Sequence, residues 1–127
     1  MNHSSVQYQP PISLIINTTD RAASLSTLLR SLEHQSYPNF EVLVVVGPTQ
    51  DNTLQILQEY EDRLDVLHCP HANLSQSRNI GLLAARAEIV AFIDDDAVPC
   101  HHWLLQIAER FQDPELAGSG GSVFLVH

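Results

Sequence analysis

The chain has 127 residues, and its composition already excludes several classes of protein. It carries 15 Asp and Glu against six basic residues, all of them Arg, for a formal net charge of −9. This balance argues against nucleic acid or anionic lipid as a partner, because both require many cations. The apolar runs are too short to span a bilayer, and residues 1–10 lack the apolar core of a signal peptide. We therefore expect one cytoplasmic domain that follows a flexible tail at 1–10 and has no transmembrane segment.

Strand and helix patterns alternate along the rest of the chain. Short apolar runs predict strands over 12–16, 42–46, 65–68, 88–93 and 122–126. Apolar residues at helical spacing predict four helices between them, with stripes at Leu25, Leu28, Leu29 and Leu32, at Ile56, Leu57 and Tyr60, at Ile80, Leu83, Ala84 and Ala87, and at Leu104, Ile107, Ala108 and Phe111. This alternation predicts an α/β fold, with an open, mostly parallel sheet and helices on both faces.

Polar residues and a proline mark the expected starts of these helices. The candidates, in chain order, are Thr19 or Asp20, Thr49 or Asp51, Ser75, and Pro99. In an open α/β sheet, ligands bind outside the carboxyl ends of the strands. We therefore expect function in the loops that follow the predicted strands.

Three consecutive carboxylates, Asp94, Asp95 and Asp96, follow the fourth predicted strand. Their mutual repulsion at the mouth of a sheet is costly without a cation, and Mg²⁺ or Mn²⁺ takes oxygen ligands of this kind. Strand alternation places Asp94 and Asp96 on one side and Asp95 on the other. A solvated acidic turn explains the run equally well at this point.

Two further motifs also have alternative interpretations. Arg78 falls in the first turn of a helix that Ser75 caps, where a cation is misplaced unless an anion is near; a salt bridge or a solvated Arg is the alternative. Residues 17–21 offer hydrogen-bonding groups that suit a base or ribose, or simply a helix cap. Cys69 and Cys100 lie near histidines but at no zinc-site spacing, so we interpret them as free thiols.

Four stretches, in order, resemble family 2 glycosyltransferases with the GT-A fold. They are residues 12–21, residues 36–45, residues 73–81 around Arg78 and Asn79, and residues 89–99 with Trp103 and Leu104 following. The resemblance covers about residues 11–121 and favours the metal interpretation of the Asp run. It implies a Rossmann-like but incomplete sheet, in which residues 11–127 form a truncated nucleotide-sugar-binding domain.

The resemblance also implies roles for individual residues. Thr18 and Asp20 would hold the base and ribose of a nucleotide-diphosphate sugar, and Arg78 would face the nucleotide near its phosphates. Asp94 would lie near the ribose or the sugar, and Asp96 would bind the Mg²⁺ or Mn²⁺ that bridges the two phosphates. The implied reaction is displacement at the anomeric carbon by an acceptor hydroxyl, with inversion, and the metal stabilises the leaving nucleoside diphosphate.

The chain departs from the family pattern in two places. Val46-Gly47-Pro48 stands where the family usually has an Asp pair that contacts the base, and Thr49 and Asp51 are weak substitutes. The family's acceptor region and catalytic base lie in its other half. We therefore expect the base beyond His127, no catalytic residue within this chain, and no transfer by the chain alone.

Two other functions are compatible with the same sequence. A non-catalytic interaction module would keep the fold and associate with itself or with a partner chain through the exposed sheet edge near 122–126. A phosphoacceptor signalling domain also places acidic residues on a parallel sheet, but it requires a Lys, which this chain lacks, and an acidic cluster at the first strand. Dimerisation without a nucleotide response would favour the interaction module.

Overall fold

A computed structural model describes residues 9–111 and 122–126 of the chain. Within these ranges five strands alternate with four helices. The strands are β1 (Ile12–Thr18), β2 (Phe40–Val46), β3 (Asp65–His68), β4 (Ile89–Asp94) and β5 (Ser122–Val126). The helices are α1 (Ala22–Leu32), α2 (Thr53–Gln58), α3 (Leu74–Ala84) and α4 (Trp103–Phe111).

The strands form one sheet in the order β3-β2-β1-β4-β5, and every neighbouring pair is parallel. The predicted open, parallel α/β fold is therefore confirmed. The strand order reverses at β1, since the chain adds β2 and β3 on one side and β4 and β5 on the other. A reversal of this kind leaves a crevice at the carboxyl ends of the central strands.

Helices cover both faces of the sheet, as predicted. On one face α1, α2 and α4 pack over alternate residues of β1, β2 and β4, and this layer contains the larger core. On the other face α3 packs through Ile80 and Ala84 against Ile15, Val45 and Phe92. Because β1 is buried on both faces, its apolar run is nearly continuous rather than alternating.

The predicted apolar stripe of α3 is confirmed for Ile80 and Ala84, which pack on the sheet, and is wrong for the other two residues. Leu83 is 89% exposed, and Ala87 lies beyond the end of the helix. Small residues complete the packed face, since Ser77 and Gly81 are the buried residues of the helix. A Cβ on Gly81 would lie 2.7 Å from Ile15 Cγ2, so α3 approaches β1 too closely for a larger side chain at this position. This close approach turns Leu83 outward.

The predicted starts of all four helices are also wrong, and at α2 the cap residue is Asn52 rather than Thr49 or Asp51. Asn73, not Ser75, caps α3, and its side chain accepts from Gln76 N. At α1 the cap residue is Arg21 and makes no side-chain cap bond, so neither Thr19 nor Asp20 caps that helix. At the fourth helix, α4 begins at Trp103 rather than near Pro99. At α1 and α4, distant side chains accept from the first backbone amides instead. Ala22 N donates to Asp51, and Leu104 N donates to Gln35 Oε1.

The two ends of the chain are described in part. Gln9 and Pro10 close the predicted tail, and their carbonyls accept hydrogen bonds from Asn39 and Tyr37; the rest of that tail lies outside the described residues. At the other end, β5 is the terminal strand of the sheet, as the predicted edge near 122–126 requires. Pairing of this edge with another chain stays a prediction. In the described ranges, none of the helices combines the length and apolarity that crossing a membrane requires.

The close approach of α3 to β1 predicts that Gly81→Ala destabilises the fold. Alanine favours a helix over glycine by about 1 kcal/mol, but overpacking against Ile15 costs about 1–3 kcal/mol, so we expect a net loss of up to about 2 kcal/mol. Urea unfolding measures the change. Leu83→Ala on the same helix is the control and should change stability little, because Leu83 is exposed. A stabilised Gly81→Ala variant would contradict the packing described here.

Candidate functional site

A cavity of about 420 Å³ opens at the carboxyl ends of β1 and β4, where the strand order reverses. Its walls come from the turn after β1, the start of α3 and the end of β4. Of the predicted site residues, Thr18, Arg78, Asp94 and Asp96 line this cavity, whereas Asp20 does not. A second cavity, of about 550 Å³, lies beside α2 and β3 and contains none of them. Chemistry rather than size therefore marks the first cavity as the candidate site.

The three consecutive aspartates form a turn at the end of β4, which we call the acidic turn. Asp94 ends the strand, and its carbonyl accepts from Ala97 N at 3.1 Å. Asp95 is turned back toward β1, where its Oδ2 accepts from Thr18 Oγ1 at 2.9 Å, and its side chain is 13% exposed. The side chain of Asp96 is 57% exposed. The strand ends at Asp94, so strand alternation does not govern the two residues that follow. Asp95 nevertheless faces a neighbour of its own, as predicted, and that neighbour is Thr18.

Charge is concentrated at the acidic turn. Burial raises the pKa of the Asp95 carboxyl, and the neighbouring charges of Asp96 and Asp94 add to this effect. The hydrogen bond from Thr18 and the charge of Arg21 act in the opposite direction. Three adjacent carboxylates, one of them mostly buried, repel one another, so a nearby cation stabilises their charged forms.

The donor atoms of the acidic turn fit a divalent cation that is shared with a ligand. Within 9–111 and 122–126 we find no group of three or more His, Cys, Asp or Glu side chains arranged to hold a metal ion. This excludes an all-protein cage there, but Mg²⁺ typically uses one or two carboxylates and takes its other ligands from water and substrate phosphates. Asp94 and Asp96 line the cavity and supply hard oxygen donors of this type.

Arg78 supplies the positive charge of the cavity from α3. Because Asn73 is the cap, Arg78 lies in the second turn rather than the first, so the predicted conflict with the helix dipole is weak. Its guanidinium carbon is 5.7 Å from the centre of the Phe92 ring, and its Nε is buried without a hydrogen-bond partner among the described residues. A buried donor without an acceptor is costly. An anion in the cavity would supply the acceptor.

Asp20 binds the loop after β2 to the turn after β1. It has a positive φ of 51°, and its Oδ1 accepts from Thr49 Oγ1 at 2.7 Å, Gln50 N at 2.6 Å and Asp51 N at 3.1 Å. The hydrogen bond from Thr49, followed by those from the two amides, lowers the pKa of Asp20. Its carboxylate is therefore engaged by the protein itself.

Asp51, in the loop after β2, binds the starts of α1 and α2. We call Asp20 and Asp51 together the aspartate clasp. The Oδ1 of Asp51 accepts from the side chain and backbone of Thr53 at the start of α2, and its Oδ2 accepts from Ala22 N at the start of α1. The side-chain hydrogen bond from Thr53 is the main cause that lowers the pKa of Asp51 from 3.8 to about 2. The bond to Ala22 joins residues far apart in the chain and has no local sequence signal, whereas the bonds to Thr53 are local.

Arg21 is a cavity residue to which the sequence analysis assigned no separate role. It lies at the N-terminal boundary of α1, and its Nη1 is 3.4 Å from Asp96 Oδ2. The signal that identifies it is the one used for Arg78, namely a cation at a helix N-terminus.

The cysteines match the prediction of free thiols, with Cys69 buried and Cys100 exposed.

Comparison with known proteins adds independent information. The family model described as "Glycosyl transferase family 2" matches residues 13–126. The chain is 32% identical over 112 residues to a hyaluronan synthase of Pasteurella multocida, which covers 83% of this chain and 11% of that protein.

Two solved structures share the fold. The mannosyltransferase PcManGT from Pyrobaculum calidifontis, in complex with GDP-Man and Mn²⁺, has a TM-score of 0.78 at 25% identity over 84% of this chain and 34% of that one. S. aureus TarS 1-349 in complex with UDP has a TM-score of 0.74 at 30% identity over 83% of this chain and 33% of that one. The chain thus spans no more than about a third of any of these three relatives.

The aspartate clasp predicts acid sensitivity. A carboxyl whose pKa is lowered by folding adds stability above its unfolded pKa, and this stability is lost as the pH falls through its folded pKa. For Asp51 the window runs from about pH 4 down to about pH 2. Asp51→Asn should be less stable at neutral pH and should lose less further stability across that window, as followed by denaturant unfolding. Asp62→Asn, at an exposed position, should keep the wild-type slope; an unchanged slope in Asp51→Asn would contradict the clasp.

Proposed function

The chain belongs to glycosyl transferase family 2, and from this premise we propose that its cavity binds the nucleotide-diphosphate sugar donor of a glycosyl transfer. The observation that supports this most directly is the presence of both signs of charge in one cavity. The three adjacent carboxylates of the acidic turn are stabilised by a cation, and the buried Nε of Arg78 has no acceptor among the described residues. A nucleoside diphosphate bound together with a divalent cation supplies both.

Each cavity residue has a role in this proposal. Asp96 holds Mg²⁺ or Mn²⁺, and Asp94, at the end of β4, lies near the ribose or the sugar. Arg78, whose guanidinium lies over the Phe92 ring, donates to phosphate oxygens. Thr18 orients Asp95 through its hydroxyl and borders the nucleoside. Asp20 acts indirectly, because its carboxylate holds the loop after β2 rather than facing the cavity.

The donor class is supported by what the relatives bind. PcManGT was solved with GDP-Man and Mn²⁺, and TarS with UDP. In the transfer that we propose, an acceptor hydroxyl displaces the nucleoside diphosphate with inversion at the anomeric carbon. When bound, the metal supplies Lewis-acid stabilisation of the departing diphosphate. Since the chain covers only part of its relatives, the proposal for these residues concerns donor binding.

Donor binding predicts a thermal shift. UDP or GDP with Mn²⁺ should raise the melting temperature by several degrees, because a ligand that binds only the folded state stabilises it by mass action. Asp96→Ala should abolish the shift in a scanning fluorimetry experiment. Asp62→Ala removes a carboxylate that does not line the cavity and should retain it. If no combination of nucleotide and metal shifts the wild-type melting curve, the proposed function is wrong.

The role of Arg78 is tested by Arg78→Met, which keeps an unbranched side chain of similar length and removes the guanidinium. We expect nucleotide affinity in the presence of Mn²⁺ to fall about tenfold or more, because hydrogen bonds to charged groups are worth about 1.5–3 kcal/mol. Isothermal titration with UDP and GDP measures this, and Mn²⁺ binding without nucleotide should not weaken. The exposed Arg63→Met is the matched control. Unchanged nucleotide affinity in Arg78→Met would remove Arg78 from the site.

A further inference from the structure

Arg21 is the cation that lies beside the acidic turn. Its Nη1 is 3.4 Å from Asp96 Oδ2 and 4.0 Å from Asp95 Oδ1, and the residue lines the cavity. The side chains of Arg21 and Asp96 are 55% and 57% exposed, so water screens the contact between them. An exposed ion pair contributes little to stability and is easily broken. The contact is therefore suited to exchange with another cation.

The aspartate clasp holds the backbone on both sides of Arg21. Asp20, the residue before it, is bound by the loop after β2, and Ala22 N, the amide after it, donates to Asp51. Because the residues on both sides of Arg21 are fixed, its side chain starts from a defined position next to the acidic turn. A cation at the N-terminus of a helix is disfavoured by the helix dipole. Asp95 and Asp96 offset that cost.

We propose that Arg21 is the resident counter-cation of the acidic turn and competes with a divalent cation for Asp96. Without metal, its guanidinium compensates part of the charge of Asp95 and Asp96. A divalent cation that binds Asp96 must displace this contact, so Arg21 sets the metal concentration at which the donor site fills. The inference rests on the proposed function, and it concerns the protein group that opposes the metal rather than the groups that hold it.

Mn²⁺ binding to the full chain without nucleotide tests this competition, with the free Mn²⁺ followed by electron paramagnetic resonance. Arg21→Gln should bind Mn²⁺ about threefold to tenfold more tightly, since it removes a unit charge a few ångströms from the binding carboxylates. Arg21→Lys, which keeps the charge, should stay close to wild type. Arg63→Gln is the matched control, because Arg63 pairs with Glu33 on the surface, does not line the cavity, and changes the net charge equally.

Melting temperature supplies a second measurement. In EDTA, Arg21→Gln should melt only slightly below wild type, because an exposed ion pair adds little stability, and saturating Mn²⁺ should remove the difference. An ion pair with only a structural role would leave a deficit that Mn²⁺ does not restore. That persistent deficit, together with an unchanged Mn²⁺ affinity, would overturn the inference.

The remaining variants separate this inference from the proposed function. Asp96→Asn should weaken Mn²⁺ binding, and adding Arg21→Gln to it should recover little of the loss. If Arg21→Gln binds Mn²⁺ like wild type, or Arg63→Gln gains as much, the inference is wrong while the donor site stands, provided that Asp96→Asn still weakens binding. If Asp96→Asn has no effect on Mn²⁺ binding, both the inference and the metal role of the acidic turn are wrong.

Discussion

β1 pairs with β2 along one edge and with β4 along the other, and the candidate site depends on this central position. The register aligns Thr18 with Val46 of β2 and Asn17 with Asp94 of β4, so the three strands end at nearly the same level. The turn after β1 therefore lies beside both the loop after β2 and the acidic turn. A strand buried on both faces holds this arrangement, because a shift of register by one residue would exchange the side chains of its two cores.

The carboxylates near the cavity fall into two groups according to their hydrogen-bond donors. Asp20 and Asp51 each accept several donors from the loops that they join, and these bonds lower both pKa values. Asp95 accepts one hydroxyl, and burial beside two further carboxylates raises its pKa. The first group is stabilised in its charged form by the protein alone. The acidic turn has fewer donors of this kind, and this difference separates the residues that build the loops from those proposed to face a ligand.

The sequence predicts the strands well because their apolar runs depend on burial alone. Four of the five residues that it singles out for binding line the cavity, because they lie at strand ends or near a helix start. The sequence predicts only part of the face of α3 that packs, since the rest depends on the contact of Gly81 with Ile15, residues that lie far apart in the chain. It also misplaces Asp20. Its positive φ and its bonds to the loop at 49–51 arise only when β1 and β2 are paired.

The chain has only six basic residues against 15 acidic ones, and two of the six, Arg21 and Arg78, line the cavity. Arg21 has carboxylate partners within the protein, whereas the buried Nε of Arg78 has no acceptor among the described residues. In the proposed donor site, a dication alone would displace Arg21 and leave that donor without an acceptor, and an anion alone would face three carboxylates. Each ligand would therefore improve the electrostatic environment of the other. If the cavity binds both as proposed, metal and diphosphate bind more tightly together than either does separately.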